Sequence, residues 1–172
     1  MVFRLLSLAL ICVCCSGGVG YAQSTVNFRD YAVPITFFGK SAPPMHNTSN
    51  SRYYRTKIRE AVAAGPNFAD HYTIAVWGCG TSCVMFSIVD ISNGRVYDFP
   101  FSVSYDDEDP CGVIFHRDSR VVRVIGRLNE VGDSKDRRYL WDGKNLVEKS
   151  EQPSCHSDRQ NCGKKKPRPA DR

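Results

Sequence analysis

Residues 77–83, with the sequence WGCGTSC, constrain the fold of this 172-residue chain more than any other segment. The segment contains two cysteines within a glycine-bearing turn. β-prone residues flank it, because residues 71–77 alternate between apolar and polar and residues 84–89 are almost continuously apolar. Such flanks predict two strands joined by a hairpin turn. Across that turn, Cys79 and Cys83 would lie close enough to form a disulfide.

Residues 1–22 have the layout of a secretory signal peptide. Arg4 precedes an apolar run at residues 5–15, and small residues at positions 16–20 lead to a cleavage site after Ala22. The apolar run is about half as long as a transmembrane helix needs to be. We therefore expect residues 1–22 to be cleaved and the mature protein to be periplasmic or secreted, where cysteines form disulfides.

Cleavage would leave five of the eight cysteines, namely Cys79, Cys83, Cys111, Cys155 and Cys162. Their short separations favour the pairs Cys79–Cys83 and Cys155–Cys162. This pairing leaves Cys111 free or bonded to another chain. A bond from Cys79 or Cys83 to Cys111 is the alternative, because the longer loop would stabilise the fold by about 3.5–4 kcal/mol, against about 2 kcal/mol for the short loop.

The mature chain predicts a single α+β domain over residues 23–163. Apolar residues recur at helical spacing from Tyr54 to Val62, with capping residues at 49–51 and a stop at residues 65–66. Hairpin turns are predicted at residues 93–94, 117–120 and 142–143. We expect one N-terminal helix packed on an antiparallel β-meander of about six or seven strands.

The basic charge of the chain is concentrated at its C-terminus. The formal net charge is +5, yet residues 23–163 contain 17 basic and 17 acidic side chains. Residues 164–172 are rich in lysine and proline, which predicts a disordered basic tail. No aromatic residues lie among these lysines, so we expect no nucleic acid as a partner. Arg52, Arg55 and Arg59 fall on one side of the predicted helix, where they would be solvated or meet an anionic partner.

Enzyme chemistry has weaker support in the sequence. Redox motifs usually have C-x-x-C spacing at a helix N-terminus, whereas this segment has C-x-x-x-C spacing and β flanks. A zinc site would draw on His71, Cys79, Cys83 and His116, but no closely spaced ligand pair anchors this set. Adjacent residues of a strand point to opposite faces, so Asp70 would not orient His71 for nucleophilic catalysis. We therefore predict no catalytic residue, no metal and no cofactor.

Residues 67–72 (NFADHY) and residues 77–83 together resemble a block in small secreted proteins of Gram-negative bacteria that have no assigned activity. That family more often has glycine at the position of Asp70. The resemblance covers only the middle of the chain. It implies an exported bacterial protein and identifies no catalytic residue.

We therefore expect a small exported binding protein, such as an inhibitor or a toxin-neutralising protein, whose partner is another envelope or secreted protein. The expected contact residues in the disulfide-closed turn are Trp77, Gly78, Gly80, Thr81 and Ser82. The alternative is an envelope enzyme. It would be a thiol–disulfide oxidoreductase that uses the cysteine pair, or a metal-assisted hydrolase that uses His71 and His116.

Overall fold

The computed structural model describes residues 26–105 and 112–153, with side chains described as far as Lys149. The predicted signal peptide, the predicted tail and three of the cysteines (Cys111, Cys155 and Cys162) lie outside these residues. What the sequence predicts for them stays a prediction.

The elements in chain order are a 3-10 helix (Phe28–Tyr31), α1 (Ser49–Tyr53), α2 (Arg55–Ala63), β1 (Tyr72–Gly80), β2 (Cys83–Asp90), β3 (Arg95–Asp98), β4 (Val103–Ser104), β5 (Val113–Phe115), β6 (Val121–Leu128), β7 (Val131–Trp141) and β8 (Leu146–Pro153).

Two short helices take the place of the single predicted helix. Tyr54, between α1 and α2, leaves the helical conformation with φ −96° and ψ 22°. Thr48 caps α1 one residue before the predicted caps, because its side chain accepts a hydrogen bond from the backbone N–H of Ser51. After α2 the chain turns at Gly65, whose φ of 91° suits glycine and agrees with the predicted stop.

Eight antiparallel strands form one sheet in the order β1-β2-β4-β6-β7-β8, with β3 paired to β2 and β5 paired to β6. The three predicted hairpin turns are present. The α+β class with an antiparallel sheet is thereby confirmed, but the predicted number of strands is too low. Sequence patterns missed β4, which has only two residues, and the turn between β6 and β7, which contains no glycine.

The sheet branches and is not a simple meander. One edge of β2 pairs with both β3 and β4, and one edge of β6 pairs with both β4 and β5. β4 pairs with the first two residues of β2 and with the last two residues of β6. It therefore joins the β1–β2 hairpin to the β6–β7 hairpin at the end where both hairpins turn. Gly126 permits this close approach, since a Cβ at that position would clash with the carbonyl of Ser104.

Two apolar cores lie on opposite faces of β1 and β2. The larger core combines side chains from β1, β2, β4, β6 and β7, including Ile74, Phe86, Val103, Val122 and Trp141. The smaller core lies between α2 and the sheet and includes Ile58, Val62, Ala75, Trp77 and Val89. As its apolar sequence predicts, β2 is covered on both faces.

Candidate functional site

Residues 77–83 form the tip of the β1–β2 hairpin. Gly78 pairs with Val84 and Gly80 pairs with Cys83, so Cys79 has no partner residue on β2. This extra residue on β1 forms a β-bulge. The predicted disulfide between Cys79 and Cys83 is present, with the two Cα atoms 5.2 Å apart. Neither cysteine is then available for the alternative bond to a more distant cysteine.

The hairpin turn itself faces solvent. Residues 78–81 are exposed and Ser82 is half-buried, whereas Cys83 is only 8% exposed. Ser82 has a left-handed φ of 49°, and its carbonyl accepts a hydrogen bond of 2.9 Å from the backbone N–H of Tyr105. The turn is thus held by the disulfide on one side and by the chain that follows β4 on the other. Thr81 lies exposed at its apex.

Trp77 differs from the other predicted contact residues because it is buried. Only 5% of Trp77 is exposed, and its indole stacks on the ring of Tyr54 with the ring centroids 4.5 Å apart. Side chains alternate along a strand, and Trp77 shares with Ala75 the face of β1 that packs against the helices. The structure therefore gives Trp77 a packing role beneath the turn in place of the predicted contact with a partner.

A second hairpin turn lies beside the first. Asn129 and Glu130 join β6 to β7, both with left-handed backbone (φ 51° and 62°). Asn129 exchanges hydrogen bonds with Ser102, through its N–H to the Ser102 carbonyl and through its Oδ1 from the Ser102 N–H, each 3.0 Å long. Val131, the next residue, is 73% exposed. Because only β4 separates β2 from β6, the facing strands of the two hairpins are about 10 Å apart, twice the spacing of paired strands.

A charged cluster closes the opposite end of β1. The carboxylate of Asp70 accepts hydrogen bonds from the backbone N–H groups of Thr36 (2.6 Å) and Phe37 (2.8 Å) and from the Thr36 hydroxyl (3.0 Å). Arg117 donates to the backbone carbonyls of Asp70 (3.3 Å) and Phe37 (2.7 Å). Burial raises the pKa of Asp70, but the hydrogen bonds that it accepts prevail and lower this pKa from 3.8 to about 2. Asp70 thus fastens the N-terminal segment to the sheet.

His71 lies between two carboxylates. Its Nδ1 is 3.4 Å from Oδ2 of Asp70, and its Nε2 is 3.9 Å from Oδ1 of Asp90. The prediction that Asp70 would not orient His71 is wrong, because both residues belong to a turn that precedes β1 and not to the strand. The Asp90 carboxylate also accepts hydrogen bonds from Ser92 and Asn93 in the β2–β3 turn. The cluster therefore orders two turns at once.

The residues of the alternative zinc site are not brought together. The sulfur atoms of Cys79 and Cys83 are bonded to each other, and the ring of His116 packs edge-to-face on Phe28 with centroids 4.3 Å apart. Within the described parts of the chain, no three His, Cys, Asp or Glu side chains are grouped so that they could hold a metal ion.

Comparison of the chain with protein-family models, with curated proteins and with solved structures finds no match. None of the helices in residues 26–105 and 112–153 has the length and apolar character needed to cross a bilayer. The function must therefore be inferred from the geometry of the two hairpin turns and of the charged cluster.

Proposed function

We propose that the protein is a periplasmic or secreted binding protein that contacts another envelope or secreted protein through its two adjacent hairpin turns. We define this surface, the tip face, as residues 78–82 and 129–133. One observation carries the proposal: the turn of the β1–β2 hairpin is exposed, and yet it is closed by a disulfide and bonded to the chain after β4. An inhibitor or a toxin-neutralising protein would use such a surface.

A fixed turn favours binding because less conformational entropy is lost when the complex forms. The Cys79–Cys83 ring is small, and in the chain-entropy model its closure stabilises the fold by only about 2 kcal/mol. A longer loop would serve stability better. We therefore assign to this disulfide the role of ordering Thr81 and the exposed backbone on either side of it.

The composition of the tip face favours a protein as its partner. Val131 provides one exposed apolar side chain, and Glu130 and Asp133 beside it are exposed carboxylates. The exposed glycines at positions 78 and 80 leave backbone N–H and C=O groups accessible beside Thr81. The carboxylates would repel phosphate groups. A complementary protein surface would be basic at its rim and would offer a small apolar pocket to Val131.

The alternative function, an envelope enzyme, is favoured by one observation, the position of His71 between Asp70 and Asp90. Both carboxylates, however, already accept structural hydrogen bonds, Asp70 from the N-terminal segment and Asp90 from the β2–β3 turn. The cysteine pair lies in a β-hairpin, away from the helix N-terminus that lowers the pKa of a reactive thiol. Rapid exchange of the Cys79–Cys83 disulfide with a dithiol oxidoreductase would favour the enzyme.

Affinity capture of the tagged full-length protein from the periplasm of its own host tests the proposal. We expect the wild type to retain a discrete partner that Thr81→Arg and Val131→Asp both lose. Lys144→Glu is the matched control, because Lys144 is exposed in the β7–β8 turn at the other end of β7. A partner that both tip-face variants retain as well as the wild type does would overturn the proposal.

A further inference from the structure

The outer edge of β1 faces no other strand, because β1 is the first strand in the order of the sheet. In an antiparallel pair, the N–H and C=O groups of alternate residues point toward the partner strand, and those of the residues between them point away. The carbonyl of His71 accepts a hydrogen bond from the N–H of Ile91, which directly follows β2. Odd-numbered residues of β1 as far as the bulge therefore face β2, and even-numbered residues face outward.

Residues 67 and 68 close the first half of this outer edge. The N–H and C=O groups of Tyr72 bond to the backbone of Phe68 at 2.9 Å and 3.0 Å. The side chain of Asn67 does the same at Ile74, because its Oδ1 accepts from the N–H at 2.7 Å and its Nδ2 donates to the carbonyl at 3.1 Å. The Asn67 amide thus takes the place of a neighbouring strand and prevents a further strand from pairing there.

The second half of the outer edge is open. Val76 and Gly78 are the next two outward residues, and among the residues that the structure describes their outward groups have no hydrogen-bond partner. Val76 is 41% exposed. Gly78 is also exposed, and since it has no side chain, the exposed atoms belong to its backbone. We define the open edge as the outward N–H and C=O groups of Val76 and Gly78, which together are two donors and two acceptors.

We infer that an extended segment of the partner protein adds to the open edge as a further β-strand. An extended chain has donors and acceptors at the same spacing, about 7 Å between alternate residues, so it can bond to all four groups. The inference deepens the proposed function and rests on it, because Gly78 belongs to both the open edge and the tip face. One partner would then contact the turn and continue along β1 until Asn67 stops the pairing.

The side chain of Val76 indicates what the added segment would contain. Val76 lies on the same face of β1 as Ile74, whose side chain belongs to the larger core, yet Val76 itself is partly exposed. Side chains of adjacent strands pack against each other on a shared face. We therefore expect the added segment to place an apolar, β-branched residue beside Val76.

A second copy of this chain fits the open edge less well. If two copies of β1 paired antiparallel around Trp77, Gly80 of one copy would lie beside Ile74 of the other, where the Asn67 amide already lies. An edge with two outward residues is also too short to bury the roughly 1,000 Å² that a stable interface needs. A partner that contacts the tip face as well would gain the missing area.

Titration of the full-length protein with a synthetic peptide, followed by NMR of the backbone amides, tests the inference directly. The probe is a short peptide of alternating threonine and valine with a lysine at each end. We expect it to shift the amide signals of Val76 and Gly78 at millimolar concentration. The same peptide with every backbone nitrogen methylated is the matched control, and it should cause no shift because it has no N–H to donate.

Three outcomes of this titration would overturn the inference. The first is that the unmodified peptide causes no shift at Val76 and Gly78. The second is that the methylated peptide causes the same shifts, and the third is that the shifts occur in β8, at the other end of the sheet. The inference is also wrong if the free protein is a dimer that Val76→Pro converts to a monomer, because a second copy then fills the edge.

Val76→Pro separates this inference from the proposed function. It removes an outward N–H and no bond to β2, so the protein should fold, which thermal unfolding checks. Val76→Thr is the matched control, because it keeps the N–H and the β-branched shape. We expect Val76→Pro to weaken binding of the peptide about tenfold or more and to lose the captured partner, whereas Val76→Thr should behave like the wild type.

Affinity capture then distinguishes the two ways of failing. If Val76→Pro retains a partner that Thr81→Arg and Val131→Asp lose, strand addition is wrong and the proposed function stands. If the wild type captures no partner, the proposed function fails, and the peptide titration alone decides whether the open edge accepts a strand.

Discussion

The two ends of β1 are closed in different ways. At the tip, a disulfide joins residues only four positions apart. At the other end, Asp70 bonds to Thr36 and Phe37, which precede it by 34 and 33 positions. The first closure orders a local turn and leaves its surface exposed, whereas the second ties a distant segment to the sheet. The comparison indicates that the Asp70 end stabilises the fold, whereas the tip end is the exposed surface for which we propose a binding role.

The largest expected change in the free energy of unfolding concerns Trp77, which is buried beneath the turn. Trp77→Ala should lower the free energy of unfolding by about 3–5 kcal/mol, because it removes a buried indole stacked on Tyr54. Val76→Ala is the matched control, since Val76 is the preceding residue of β1 and is 41% exposed. Urea unfolding of both variants measures the difference. A loss for Trp77→Ala no larger than that for Val76→Ala would contradict the packing role.

The second prediction concerns the opposite end of β1. Asp70→Ala removes the acceptor of three hydrogen bonds, and we expect a loss of about 2–3 kcal/mol in the free energy of unfolding. Asp118→Ala serves as its control, because the Asp118 side chain is exposed. It should change stability by less than about 0.5 kcal/mol. Equal losses in the two variants would show that Asp70 does not fasten the N-terminal segment.

The stabilisation from Asp70 should also depend on pH. Its pKa is about 2 in the folded protein, below the ordinary value of 3.8. A carboxyl group with a lowered pKa stabilises the fold fully above its unfolded pKa, and this contribution disappears as pH falls through the folded pKa. The difference in stability between the wild type and Asp70→Asn should therefore shrink as pH falls from about 4 to about 2. A difference that is constant over this range would contradict the assigned pKa.

A smaller effect is expected when the disulfide is removed. The double variant Cys79→Ser and Cys83→Ser should lower the free energy of unfolding by about 2 kcal/mol. Amide hydrogen exchange should accelerate at residues 80–82 and remain unchanged in the turn that contains Asp70, because the closure is local. Reduction of the wild type should reproduce this pattern. Faster exchange across the whole sheet would show that the disulfide supports the fold more widely.

The smallest change in stability is expected at the apex of the turn. Thr81→Arg alters an exposed side chain, so the free energy of unfolding should change by no more than about 0.5 kcal/mol, even though we expect the partner to be lost. Thermal unfolding of this variant checks that lost capture is not caused by unfolding. A loss of more than about 1 kcal/mol would mean that Thr81 has a structural role.

Local signals made much of this fold predictable. The glycine at position 94 and the turn residues at 142–143 mark hairpins, and the spacing of Cys79 and Cys83 allows a bond across a turn. Sequence patterns do not reveal the β6–β7 turn, because glutamate rarely adopts the left-handed conformation that Glu130 has here. Its neighbour Asn129 tolerates that conformation, and its bonds to Ser102 hold the turn in place.

The candidate site was less predictable because its determinants are distant in sequence. Trp77 looks like a surface residue until α2 is placed over its face of β1. The carboxylate of Asp70 has hydrogen-bond donors more than 30 residues away, so no local pattern reveals them. The assignment of Asp70 and His71 to a strand also hid their contact, since the left-handed Asp70 (φ 70°) turns the chain just before β1.

Site-specific photocrosslinking tests the central claim, that the tip face is the binding surface, most directly. A photoreactive amino acid would be placed at Thr81 in one variant and at Lys144 in another, and each full-length protein would be irradiated in the periplasm of its own host. We expect a discrete crosslinked species from Thr81 and none from Lys144. No crosslink from Thr81, or the same species from both positions, would contradict it.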